Sequence, residues 1–102
     1  MKIVAITACP TGIAHTYMAA EQLHKAAKSL GYEIKVETQG AMGIENELTE
    51  SDIREAQVVI FAVDIEVKKR ERFKNIMIIE APVQEVVRNP RRIFAKISHN
   101  SR

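Results

Sequence analysis

The sequence predicts an α/β fold: a three-layer α/β/α sandwich, Rossmann-like, around a four-stranded parallel sheet of order 2-1-3-4. Three observations carry this. Short β-branched runs alternate along the chain with stretches whose apolar residues recur every three or four positions. Two of those runs, residues 3–7 and 58–63, lack the polar alternation of a half-exposed strand and read as strands covered on both faces. Glycine, proline and capping residues fall between the elements rather than inside them.

Taken in order, Ile3, Val4, Ala5, Ile6 and Thr7 form the first strand. A helix follows from about residue 15 to 30, its apolar stripe made of Met18, Ala19, Leu23, Ala26, Ala27 and Leu30. Gly31 is placed to end it. Residues 32–36 alternate apolar and charged, as an edge strand does. A polar loop with Gly40 and Gly43 leads to Thr49, which can cap a short helix to about Ala56 with Asp52 at the third position. Residues 58–63 are the most buried-looking strand, and a charged helical segment over 66–72 leads to a last strand at 76–79. Asn89 and Pro90 read as the cap and first residue of a final helix to about Ser98. The polar strand belongs at an edge and the two apolar ones in the middle. The proposed order satisfies both and puts the switch point between the first and third strands, where such folds bind ligands.

Composition narrows the function. At 102 residues the chain fits one domain, residues 1–102, with one core. Its longest apolar run is six residues, against about 20 for a membrane helix, and no signal-peptide pattern follows Met1, so a cytoplasmic domain is expected. One cysteine excludes an internal disulfide framework, a four-cysteine zinc site and a CxxC redox pair. The three histidines show no metal spacing, and neither metal nor cofactor is expected. Net charge is +2 overall, but −2 over residues 1–81 and +4 over 82–102. No aromatics interleave with those basic residues, so nucleic acid has no support, and the basic end reads as a solvated helix face.

The chemistry concentrates after the first strand, in Cys9, Pro10, Thr11, Gly12, Ile13, Ala14, His15 and Thr16. A loop between a central strand and a helix N-terminus turns successive N–H groups into one concavity, and the helix adds partial positive charge. Phosphate fits such a cradle. Neither GxxxxGK[ST] nor GxGxxG is present; a thiol stands there instead. The groups that hold phosphate also favour a thiolate. A thiolate can accept a phosphoryl group and pass it on. Pro10 pre-sets the turn, Gly12 lets backbone approach the anion, and Thr11 and Thr16 offer hydroxyls. The competing reading is a buried structural cysteine.

Spacing separates two reactions. Low-molecular-weight thiol phosphatases and arsenate reductases use C-x5-R, the arginine gripping phosphate. Here His15 occupies that place, and the nearest following arginine, Arg54, is on another segment. Without the clamp, hydrolysis loses transition-state stabilisation, which suits a carrier rather than a phosphatase. A non-catalytic anion-binding regulatory module stays open as a third reading.

The stretch from Lys2 to Glu21, with Cys9-Pro-Thr-Gly12-Ile-Ala-His15-Thr16 at its heart, resembles the amino end of the fructose-family enzyme IIB component of the bacterial phosphoenolpyruvate-dependent sugar phosphotransferase system. The resemblance continues through Val36-Glu-Thr38-Gln39-Gly40, Gly43, Asn46, Leu48-Thr49, Asp52-Ile53, Asp64 and Arg72-Phe73. Gln57 in place of an acidic residue and Ala41 in place of a hydroxyl one depart from the family pattern, both outside the cysteine loop. The resemblance implies a sugar phosphotransferase subunit working in a relay. A IIA component carrying phosphohistidine docks over the loop, Cys9 attacks phosphorus in line, and phosphocysteine then meets a membrane-embedded IIC component, giving the group to fructose or a fructose-like sugar during import. The domain would thus lie at the inner face of the membrane through IIC, without inserting itself and meeting the sugar only through IIC. As the chain ends at Arg102 with no linker, a free IIB subunit is expected.

Other residues have plainer alternatives. His15 stands within reach of anything bound to Cys9, and capping or packing competes with a phosphate-binding role. Gln39, Gly40 and Asp64 lie past the carboxyl ends of the second and third strands and form a possible rim, with loop capping expected for Asp64. The run Lys68-Lys69-Arg70 with Arg72 reads as a solvated face, with a docking patch for an acidic IIA surface as the minority reading.

Overall fold

A computed structural model describes residues 1–10, 13–41 and 43–100, without the side chains of residues 13 and 98–100. The central strand β1 (Lys2–Ala8) pairs in parallel with β2 (Glu33–Gly40) on one side and β4 (Val58–Val63) on the other. β5 (Met77–Ala81) extends the sheet in parallel beyond β4. A short β3 (Gly43–Glu45) pairs antiparallel with β2, giving the order β3-β2-β1-β4-β5. The four parallel strands thus stand in the expected order. The sheet has five strands rather than four, and the segment expected at the edge is second from it.

The hairpin explains the difference. Gly40 pairs directly with Gly43, and Gly43 takes φ +90°, a conformation glycine reaches without steric cost. What reads as a polar loop therefore includes a turn at Ala41 and a three-residue strand. Glu33, at the start of β2, is exposed, but the other charged positions of the strand are engaged within the protein. Lys35 Nζ donates to Asp52 Oδ2 at 2.7 Å, and Glu37 is completely buried in an ion pair.

One face of the sheet is covered by α1 (Ile13–Ser29), α3 (Val83–Arg88) and α4 (Pro90–Asn100), packed on Ile3, Ala5, Val58, Ile60 and Ala62. The other face carries a thinner layer: α2 (Glu50–Glu55), with Leu48, Val67 and Phe73, against Val4, Ile6, Val59 and Phe61. The alternation of strand side chains accounts for the two clusters. Gly31, at φ +76°, ends α1 as the sequence predicts. Thr49 caps α2 with a reciprocal bond from its own N–H to Asp52.

Two helical expectations change. The segment 66–72 is mostly irregular, with a single 3-10 turn at Arg70–Arg72. Helix α3, not expected, follows Pro82, which occupies its cap position. The last helix is α4, and Ile93, Phe94 and Ile97 bury it against the sheet, so its basic residues form the outer face of a docked amphipathic helix. Among the described residues, no helix is long and apolar enough to cross a membrane.

Candidate functional site

Cys9 follows the last residue of β1 and keeps the strand's alternation, so with Ile3 and Ala5 it belongs to the cluster beneath α1. It is 6% exposed, more covered than an open docking loop suggests, while Pro10 beside it is exposed. Among the described residues, two cavities include Cys9 in their lining. One, of about 370 Å³, lies toward α3 and is lined by Cys9, His15, Met18, Asp64, Arg88 and, from α3, Val83 and Val87. The other, of about 200 Å³, lies toward the end of β2 and is lined by Cys9, Pro10, Gln39, Gly40, Ile65 and Lys68. Both open at the carboxyl ends of the strands, where the order of the sheet reverses around β1.

The cradle residues divide. Thr11 and Gly12 lie outside the described residues, and of Ile13 only its place as the first residue of α1 is described. Ala14 and His15 are exposed in the first turn of α1, with His15 on the cavity. Thr16 is not on the open side. It is 2% exposed, and its hydroxyl is buried without a hydrogen-bond partner among the described residues. The first turn of α1 carries no acidic residue, so nothing there offsets the partial positive charge of the helix start.

The rim residues are tied together. Gln39 is buried, and its amide clasps the backbone of Lys68: Oε1 accepts from Lys68 N–H at 2.8 Å and Nε2 donates to Lys68 O at 3.1 Å. The same Nε2 donates to Glu37 Oε2 at 2.7 Å. Glu37 in turn accepts two bonds from Arg72, at 2.8 and 3.0 Å, and one from Leu48 N–H at 2.9 Å. Burial pushes the Glu37 carboxyl up, but the bonds from Arg72, Gln39 and Leu48 outweigh it and hold the group below its usual 4.5. This network sews the loop after β4 onto β2 and sets Lys68 at the lip of the smaller cavity. The rest of the basic run is spent elsewhere: Lys69 pairs with Glu47 at 2.8 Å, and Arg70 lies 5.0 Å over the Phe61 ring. Asp64 accepts from Val83 N–H at 3.2 Å and donates its own N–H to Ala8 O at 3.0 Å. It caps the start of α3 and fixes the end of β1.

Arg88 is the site residue that spacing from Cys9 does not reveal. It arrives from α3, far along the chain, in a segment that reads as loop. Val83 and Val86 are buried on one face of α3, but six residues are too few for that spacing to tell a helix from a strand.

A mostly parallel α/β domain presenting a cysteine at the switch point, with Arg88 and Lys68 on the cavities that meet it, defines the class of fold and site to which the chain is compared. A family model described as the lactose/cellobiose-specific IIB subunit of the PTS system matches residues 4–96. The chain is 51% identical over 96 residues to the PTS system fructose-like EIIB component 2 of Escherichia coli (strain K12), covering 94% of this chain and 91% of that one. It is 50% identical over 95 residues to part of the PTS system fructose-specific EIIABC component of Bacillus subtilis (strain 168), covering 93% of this chain and 15% of that longer protein. Among solved structures, a domain of the fructose-specific IIABC component of Borrelia burgdorferi superposes with a TM-score of 0.89 at 46% identity, covering 93% of this chain and 90% of that one. The chain belongs to the PTS IIB family, the phosphocarrier subunits of sugar phosphotransferase systems, whose role entails IIA and IIC partners.

Proposed function

We propose that Cys9 is the phosphoryl-carrying residue, in a transport system for fructose or a fructose-like sugar. The observation that carries this is the position of Cys9: the chain's single thiol, at the switch point beside the start of α1, on the shared wall of two cavities. Phosphohistidine of a IIA component gives up its phosphoryl group as the Cys9 sulfur attacks phosphorus in line; the S–P bond forms while the N–P bond breaks. The backbone N–H groups after Pro10, through Thr16, donate to the phosphoryl oxygens; Pro10 itself, with no N–H, supplies only its fixed turn geometry. The reverse polarity operates at IIC: a sugar hydroxyl oxygen attacks phosphorus, its proton is lost to a base, and the thiolate departs.

His15 stands where a phosphatase of this loop type would hold an arginine, and this favours storage over hydrolysis. The fructose-like assignment is supported by relatives at 45–51% identity, whose printed names agree on it, against a family model whose description names other sugars. Work at the cytoplasmic side of the membrane, docked to IIC, follows from the same reading. The test is complete turnover. The chain, charged by phosphoenolpyruvate through the general phosphotransferase proteins and a fructose-family IIA, should lose its phosphoryl group to fructose in the presence of IIC vesicles. Cys9→Ser should support no sugar phosphate formation. Full turnover by Cys9→Ser would overturn the reading.

A further inference from the structure

We propose that Arg88 is a second phosphoryl-contacting residue of this site, a cation supplied from α3 that stabilises the group on Cys9 and the transfer state leading to it; this rests on the reading of Cys9 as carrier. Cys9 and Arg88 both line the larger cavity, of about 370 Å³. Arg88 is exposed, and among the described residues its guanidinium has no hydrogen bond or ion pair. That contrasts with its neighbours in charge. Arg72 is bound into Glu37, Arg70 pairs with Glu80, and Arg91 donates to Ser29 Oγ at 2.9 Å. A guanidinium left uncommitted beside a cysteine suits a ligand with two acceptor oxygens, which it can grip bidentately.

The helix that carries Arg88 is held firmly. Its first N–H is bonded to Asp64 at 3.2 Å, and Val83 and Val86 are buried against the sheet. Asp64 is the acidic side chain lining this cavity, and its carboxylate would oppose a phosphoryl dianion. His15 is the other basic side chain on the wall, but its imidazole lacks the planar fork of donors with which a guanidinium grips two oxygens at once. Arg88 is therefore the permanent positive charge on this side. Its origin on a separate helix also distinguishes it from a loop arginine. In the transfer step the Cys9 sulfur forms its bond to phosphorus as the donor's N–P bond breaks; Arg88 takes no proton and forms no covalent bond, but offsets the negative charge on the non-bridging oxygens.

Two readouts test this. First, the rate at which charged IIA phosphorylates the chain is measured by rapid quench for the native chain, Arg88→Gln, Arg88→Lys and, as a matched loss of charge off this cavity, Arg91→Gln. Arg88→Gln should be slowed on the order of 100-fold, Arg88→Lys less, and Arg91→Gln little. Second, alkylation of Cys9 by anionic iodoacetate is compared with neutral iodoacetamide. The ratio should fall about threefold or more in Arg88→Gln, since the reagents differ in charge, and stay unchanged in Arg91→Gln. Circular dichroism confirms that each variant is folded. Native transfer rates and an unchanged alkylation ratio in Arg88→Gln, with phosphate still found on Cys9, would overturn the role of Arg88 and leave the carrier reading intact. Absence of phosphate from Cys9 in the native chain would overturn both.

Discussion

Glu37 is a carboxylate with no exposed surface, and its oxygens are engaged by Arg72, Gln39 and the Leu48 N–H. Removing one partner of such a pair strands a buried charge. Arg72→Ala should lower the unfolding free energy by about 3–5 kcal/mol, read from urea denaturation at pH 7; a loss under about 1 kcal/mol would show that the pair is incidental. The pH dependence follows from the direction of the Glu37 shift. Its folded value lies below its unfolded one, so its contribution is complete above about pH 4.5 and is lost as pH falls through the folded value. Native stability should decline on acidification in that window, and Arg72→Ala should abolish or reverse that part of the decline. Alternation in the sequence reveals β2 as a strand but assigns its charges to solvent, because pattern alone cannot distinguish a solvated carboxylate from one paired with an arginine on a distant loop. Cys9 was legible for the opposite reason: its neighbours in sequence are also its neighbours in space. Arg88 was not, since the cavity it shares with Cys9 exists only after folding.

Helix α2 illustrates the element scale. Its start was legible because a capping box is wholly local: Thr49 Oγ accepts from Asp52 N–H at 3.0 Å, and Asp52 Oδ2 accepts from Thr49 N–H at 2.8 Å. Thr49→Ala should cost about 1 kcal/mol, measured as a shift in the urea midpoint with unchanged slope. Asp52 also accepts from Lys35, and that bond, followed by the Thr49 N–H, lowers its carboxyl to about 2. This ties α2 to β2 as well as to its own cap. Helix α3 and strand β3 were illegible for want of length. Six residues after a proline, with valines at three of them, satisfy a strand pattern as readily as a helical one, and a three-residue strand offers no alternation to count. The 66–72 segment failed differently. Its composition suits a helix, but Gln39 of β2 takes both the N–H and the carbonyl of Lys68, and the Arg72 guanidinium donates to the carbonyls of Lys68 and Lys69.

At the scale of the whole molecule, α4 joins the core to the basic end of the chain. Phe94, 1% exposed, packs beside Tyr32 with ring centroids 6.0 Å apart, and Ile93 and Ile97 flank it. Phe94→Ala should destabilise the fold by about 3–5 kcal/mol, with Cys9 still chargeable wherever the variant remains folded. A loss of charging without loss of stability would mean that α4 serves the site directly. The fold was legible at this scale because two apolar strands had to be central and right-handed crossovers then leave few arrangements. Of the cavity walls, His15, Gln39, Gly40 and Asp64 were legible in the sequence, whereas Arg88 and the valines beside it, from α3, were not.

The central claim is that Cys9, rather than His15 beside it, carries the phosphoryl group. The direct measurement is fragmentation mass spectrometry of the peptide containing both residues, after charging by phosphoenolpyruvate, the general proteins and a fructose-family IIA. The account predicts one phosphoryl group, localised on the Cys9 sulfur, present in His15→Asn and absent from Cys9→Ser. A phosphoryl group on His15 that survives Cys9→Ser would contradict it.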